Sequence, residues 1–145
     1  MSGPPVLLVH GFGTSFDATW RRNGWVDLLT EAGRRVIAVD LLGHGSAPRP
    51  TDPEDYRNLE DHLLAALPDE PVEAVGFSAG AMAILWLAIH NPGRFNRLVV
   101  AGVGANLFER DDERSRAVAE AVRTGTADDP HLRYFADLPE AGGAD

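Results

Sequence analysis

The chain has no cysteine among its 145 residues. That excludes a disulfide framework, a thiolate nucleophile and a thiolate metal site. It also has no lysine or arginine run, and its net charge is −9. Nucleic acids and anionic membranes recruit basic patches, so neither is an expected partner. No apolar stretch approaches the ~20 residues of a membrane-spanning helix. Met1 to Pro5 carries neither the basic nor the long apolar region of a signal peptide. The expectation is a soluble, cytoplasmic protein. No pair of histidines has ligand spacing near a carboxylate, so no metal site and no cofactor are expected.

What is present is a globular composition, 44% hydrophobic, with 15 Gly and 10 Pro marking many turns. A chain of this length supports one domain with its own core. Short apolar runs rich in β-branched residues alternate with helix-like segments. Val6 to Val9, Val36 to Val39, Val72 to Phe77 and Leu98 to Val103 read as buried strands, with Glu73 an imperfection in the third. Asn23 is placed to cap a helix carrying Trp25, Leu28 and Leu29 and stopping near Gly33. Asp55 to Leu67 has leucines at helical spacing. Ala79 to His90 is apolar all round, which predicts a helix buried on every side. Strands alternating with helices imply a three-layer α/β/α fold around a mostly parallel sheet of about four strands. Residues 1–108 form this core. Residues 109–145 are charge-dense, with an amphipathic helix over Arg114 to Arg123, the aromatic pair Tyr134 and Phe135, and a small, polar end; they read as a partial cap-like or frayed helical tail.

Two glycine-bearing turns carry the chemistry. Gly76-Phe77-Ser78-Ala79-Gly80 lies between the third strand and the apolar helix. A tight turn in that setting holds a serine hydroxyl above a sheet, as a nucleophile elbow requires. His10-Gly11-Phe12-Gly13 follows the first strand and is placed to offer a backbone N–H to an oxyanion. The plain alternatives are a turn dictated by helix–strand packing and a loop whose glycines only permit positive φ.

With Val39-Asp40-Leu41-Leu42-Gly43-His44-Gly45 as a third motif, the chain resembles the N-terminal half of an α/β-hydrolase-fold protein. All three motifs occur in the family's order, each at the end of a strand, and the likeness covers about residues 6 to 106. It implies a truncated α/β-hydrolase fold in which the strand before His10 neighbours both the strand before Ser78 and the strand before Asp40. Ligands bind at such a switch point, beyond the carboxyl ends of the strands. It further implies a serine hydrolase, of the ester-cleaving class, with Ser78 as nucleophile and the N–H groups of Phe12 and Ala79 as oxyanion hole. His10, Gly11, Gly13, Gly76 and Gly80 would support the loops. Asp40 reads as a turn-forming carboxylate, since it precedes Ser78, and His44 as a turn residue.

The family's acid and histidine have no evident counterpart. His62 lies within a helix, His90 ends the buried helix, and His131 sits in the tail with no strand before it. Asn106 and Glu109 follow the fourth strand, and Asp128, Asp129 and Asp137 read as solvated tail charges. Truncation should also leave the fourth strand with an open edge, to be covered by Leu132 to Leu138, by self-association or by a partner chain. Three functional expectations follow: hydrolysis of a small-molecule ester or related acyl substrate; a half-enzyme completed by another polypeptide; or a non-catalytic binding module that keeps the pocket. Serine at the elbow disfavours dehalogenases and epoxide hydrolases of this fold, which use a carboxylate there.

Overall fold

A computed structural model of the chain describes residues 3–105, 108 and 111–141. Four strands, β1 (Val6–Val9), β2 (Val36–Ala38), β3 (Val72–Phe77) and β4 (Phe95–Ala101), form one parallel sheet in the order β2-β1-β3-β4. The chain runs outward from β1 to β2, then crosses back to β3 and β4. The direction of winding therefore reverses at β1, as expected. Val6 is in register with both Val36 and Glu73, so β1 is paired on both sides.

Period-two alternation divides the apolar residues of β1 between two layers. Leu7 and Val9 enter a core with Val72, Ala74, Leu63, Ile84 and Leu87, beneath α2 (Leu59–Ala66) and α3 (Ala79–His90). Val6 and Leu8 enter a second core with Phe16 and Trp20, to which Val26 and Leu29 of α1 (Trp25–Glu31) are added. Helices on both faces of the sheet complete the three layers. No helix among the described residues is long and apolar enough to cross a membrane.

Local chemistry adjusts several expected boundaries. Asn23 does not cap α1. Gly24, in the left-handed region, holds that position, and the Asn23 amide donates to the carbonyls of Ala18 and Thr19. It thereby closes a short π-helix, Asp17–Arg21, that brings Trp20 inward. The expected helix from Asp55 is two pieces. A 3₁₀ turn starts at Pro53 under an Asp52 cap, and α2 starts only after Asn58, whose backbone leaves the helical region. The charge in β3 is compensated, because Glu73 accepts from Arg34 at 2.5 Å and faces Arg97 at 3.8 Å.

The helix α3 is not buried on every side. Met82, Trp86 and Ile89 are exposed, one helical turn apart, and Ile89 is 75% exposed. The sheet and α2 supply neighbours for the opposite side only. Likewise, among the described residues β4 pairs with β3 alone, and Val99 and Val100 are exposed. The tail forms two helices, α4 (Asp112–Thr124, capped by Asp111) and α5 (Pro130–Ala141), packed on each other.

Candidate active site

The turn between β3 and α3 is built by clashes that only glycine avoids. A Cβ on Gly76 would sit 2.6 Å from the Gly80 carbonyl oxygen and 2.7 Å from the Ala81 backbone. A Cβ on Gly80 would overlap the carbonyl oxygens of Val9 and His10. The first glycine lets the helix start directly on the strand, and the second lets that helix lie against β1. Between them Ser78 adopts φ 52° and ψ −114°. It is the one non-glycine residue with positive φ among the described residues. Such a conformation costs about 1–3 kcal/mol and persists only where its surroundings dictate it. Ser78 is half-buried, and no described residue hydrogen-bonds its hydroxyl. Its amide is fixed to the Ala101 carbonyl of β4 at 2.8 Å.

The loop from His10 to Gly13 lies against this turn. A Cβ on Gly11 would be 3.5 Å from Ser78 Cβ. His10 is fully buried, and its Nδ1 bonds the Gly11 carbonyl at 2.7 Å. A carbonyl only accepts, so Nδ1 carries the proton and Nε2 is free to accept the Leu41 amide at 3.0 Å. The imidazole thus ties the loop to the turn after β2. Burial pushes the His10 pKa below its ordinary value and nearby His44 adds to this; the Gly11 hydrogen bond and Asp40 act the other way. Asp40 organises the turn after β2. It accepts from the Phe16 amide at 2.6 Å and from the amide and hydroxyl of Ser46 at 2.9 Å. Burial alone would raise its pKa, but these hydrogen bonds outweigh it and hold the carboxyl below the usual range.

The amides of Phe12 and Ala79 are among those at the site with no partner among the described residues. The latter belongs to the first turn of α3, where the helix dipole adds positive potential. Gly13 differs, since its amide donates to His44 Nε2 at 3.0 Å.

A cavity of about 230 Å³ opens over Ser78, between Gly11, Phe12 and Thr14 on one side and Phe77 and Gly102 on the other. Its roof comes from α5, through Tyr134, Phe135 and Leu138. The tail segment expected to shield the β4 edge therefore covers the serine instead. Leu138 presses on the loop so closely that a Cβ on Gly13 would lie 2.9 Å from Leu138 Cβ. Residues at positions 134, 135 and 138 share one helical face, a spacing present in the sequence.

Neither a histidine nor a carboxylate lines this cavity among the described residues. His131 is exposed, and its amide donates to the Asp129 carboxylate, which caps α5, at 2.8 Å. His90 stacks on Trp86 with ring centroids 3.9 Å apart. Asn106 and Glu109 lie outside the described residues.

A sheet wound outward from a central strand, with a strained serine at the switch point, is the architecture of a hydrolase core. The chain belongs to the alpha/beta hydrolase fold family, whose model matches residues 4–139. It is 39% identical over 107 residues to 2-hydroxymuconate semialdehyde hydrolase of Pseudomonas sp. strain CF600, covering 70% of this chain and 37% of that protein. It is 33% identical over 141 residues to epoxide hydrolase 3 of Siraitia grosvenorii, covering 92% of this chain and 42% of that one. Among solved structures, a serine hydrolase involved in carbazole degradation matches with TM-score 0.61 and 27% identity, over 98% of this chain and 58% of the other. The chain thus spans well under half the length of these two curated relatives.

Proposed function

We propose that the chain is part of a cytoplasmic serine hydrolase that cleaves a small ester or related acyl substrate, with Ser78 as nucleophile. The observation that carries this reading is the strained backbone of Ser78 between two glycines that cannot be enlarged. Strain of this kind is kept where it aims a side chain. Ser78 Oγ attacks the carbonyl carbon, and the oxygen takes up charge between the amides of Phe12 and Ala79. Losing one such donor costs about 100- to 1000-fold in rate. Similarity to a serine hydrolase and to a semialdehyde hydrolase supports the reading. The epoxide hydrolase relative supports hydrolysis in general, while serine at the elbow favours acyl chemistry here.

The serine hydroxyl needs a base to take its proton, and the cavity over Ser78 offers none among the described residues. Members of such a catalytic unit depend on one another, and losing one costs up to about a millionfold. In this proposal the acid and the histidine come from polypeptide beyond residues 1–145, in the same chain or in a partner. The exposed face of α3 and the open edge of β4 support that second element, because both present apolar side chains where a hydrolase sheet continues.

The test is labelling with a fluorophosphonate, read as a mass increase on the intact chain. We expect adduct on the wild type, accelerated by adding the completing polypeptide, and none on Ser78→Ala. No adduct under either condition, or equal adduct on Ser78→Ala, removes the assignment.

A further inference from the structure

We infer that His44 is a positioning residue for the oxyanion loop: its neutral imidazole takes the Gly13 amide out of the site and fixes the peptide plane that follows Phe12. The inference rests on the proposed role of Phe12. His44 Nδ1 bonds the Leu42 carbonyl at 3.1 Å, so Nδ1 holds the proton and Nε2 presents a lone pair. That lone pair receives the Gly13 N–H at 3.0 Å, across 31 residues of sequence.

This contact matches the one made by His10. A peptide group is planar and trans, so fixing its oxygen fixes its N–H on the opposite side. His10 fixes the oxygen of Gly11 and with it the direction of the Phe12 N–H. His44 fixes the N–H of Gly13 and with it the Phe12 carbonyl. Two successive peptide planes are therefore each pinned by one imidazole. Neither can turn independently to present a carbonyl oxygen to a developing oxyanion.

The surroundings hold His44 in place for this work. The Phe12 ring meets its imidazole at a steep angle with centroids 5.5 Å apart, and the His10 ring lies 5.4 Å away. From the other side, Leu138 packs on Gly13, whose φ of 72° no larger residue adopts without strain. The loop is thus gripped between the turn after β2 and the roof helix α5. A neutral acceptor at Nε2 is essential, since the opposite tautomer would set one donor against another.

The test is made on the chain itself by NMR, without turnover. We expect a scalar coupling between the Gly13 amide nitrogen and His44 Nε2, and ring nitrogen shifts showing the proton on Nδ1. In His44→Ala the Gly13 amide should exchange about tenfold faster, while amides of β1 and β3 keep their protection. His44→Gln, which places a carbonyl oxygen near the Nε2 position, should restore most of that protection. A purely space-filling role would let His44→Leu, which fills the site without an acceptor, protect the Gly13 amide as well as His44→Gln does, and that result would overturn the inference. The absence of coupling, a proton on Nε2, or unchanged Gly13 exchange in His44→Ala overturns the inference. Failure of fluorophosphonate labelling with the coupling intact would count against the nucleophile and not against the clamp. Labelling without coupling would count against the clamp alone.

Discussion

His10 Nε2 lies 3.3 Å from Asp40 Oδ1, yet the two do not form an ion pair while His10 is neutral. The Leu41 amide donates to Nε2, and the proton of the ring is spent on the Gly11 carbonyl. The pair is a neutral acceptor beside a carboxylate already supplied with donors by Phe16 and Ser46. Both groups hold their protons less tightly in the fold than in the unfolded chain.

Acid should therefore destabilise the chain in two windows. An unfolded chain that binds more protons gains on the fold as pH falls. The His10 contribution is complete above its ordinary value of 6.5 and is lost as pH drops from there toward its lower folded value. That of Asp40 is lost in the same sense below 3.8. Urea midpoints between pH 8 and pH 5 should fall for the wild type and fall less for His10→Gln. Parallel slopes would mean that His10 is not buried in its neutral form.

The glycines of the elbow should differ sharply from glycines elsewhere. Gly80→Ala drives a methyl group into the carbonyls of Val9 and His10, at the end of the central strand, where the backbone cannot retreat. Overpacking of this kind costs about 1–3 kcal/mol, and the rigid neighbours place Gly80 at the upper end. Gly93→Ala meets nothing within 4 Å and should change stability by no more than about 0.5 kcal/mol. Thermal or urea unfolding of the two variants checks the contrast. Equal effects would show that β1 and α3 are not so closely packed.

Much of this architecture was legible in the sequence, for reasons that particular residues show. Val6 to Val9 and Val72 to Phe77 are too short for helices and end in glycine turns, so their strands and the elbow follow from local pattern. The π-helix at Asp17–Arg21 was not legible, although Phe16 and Trp20, four apart, are the anchors of the second core. Its polar residues Asp17 and Thr19 masked the spacing. Exposure of Trp86 was misread because an apolar helix reports the neighbours it needs and not those the described chain supplies. His44 looked like a turn residue, and it is one. Its bond to Gly13 depends on β1 and β2 lying side by side, which no local pattern encodes.

The roof helix should come away before the sheet does. Leu138 is 7% exposed and is the residue of α5 that bears on Gly13. Truncating a buried leucine costs about 2–5 kcal/mol, and α5 reaches the site through few other side chains. Leu138→Ala should lower hydrogen-exchange protection across α5 and speed tryptic cleavage after Arg133, while β1 and β3 keep theirs. Loss of protection in the sheet as well would make α5 an integral part of the core.

Ser78 itself offers the most direct measure of what the elbow costs. At φ 52° and ψ −114° alanine retains the strain of serine, whereas glycine enters this region freely. Glycine also loses more backbone entropy on folding, by roughly 0.5–1 kcal/mol, which opposes the relief. Strain of about 1–3 kcal/mol outweighs that loss. Ser78→Gly should therefore be more stable than Ser78→Ala by about 1 kcal/mol, the reverse of the order found at ordinary helix positions. The same pair should both fail to take up fluorophosphonate, which separates the energetic effect from the chemical one. If alanine proves the more stable, the serine rests in a relaxed conformation, and the main support for a nucleophile at this position is lost.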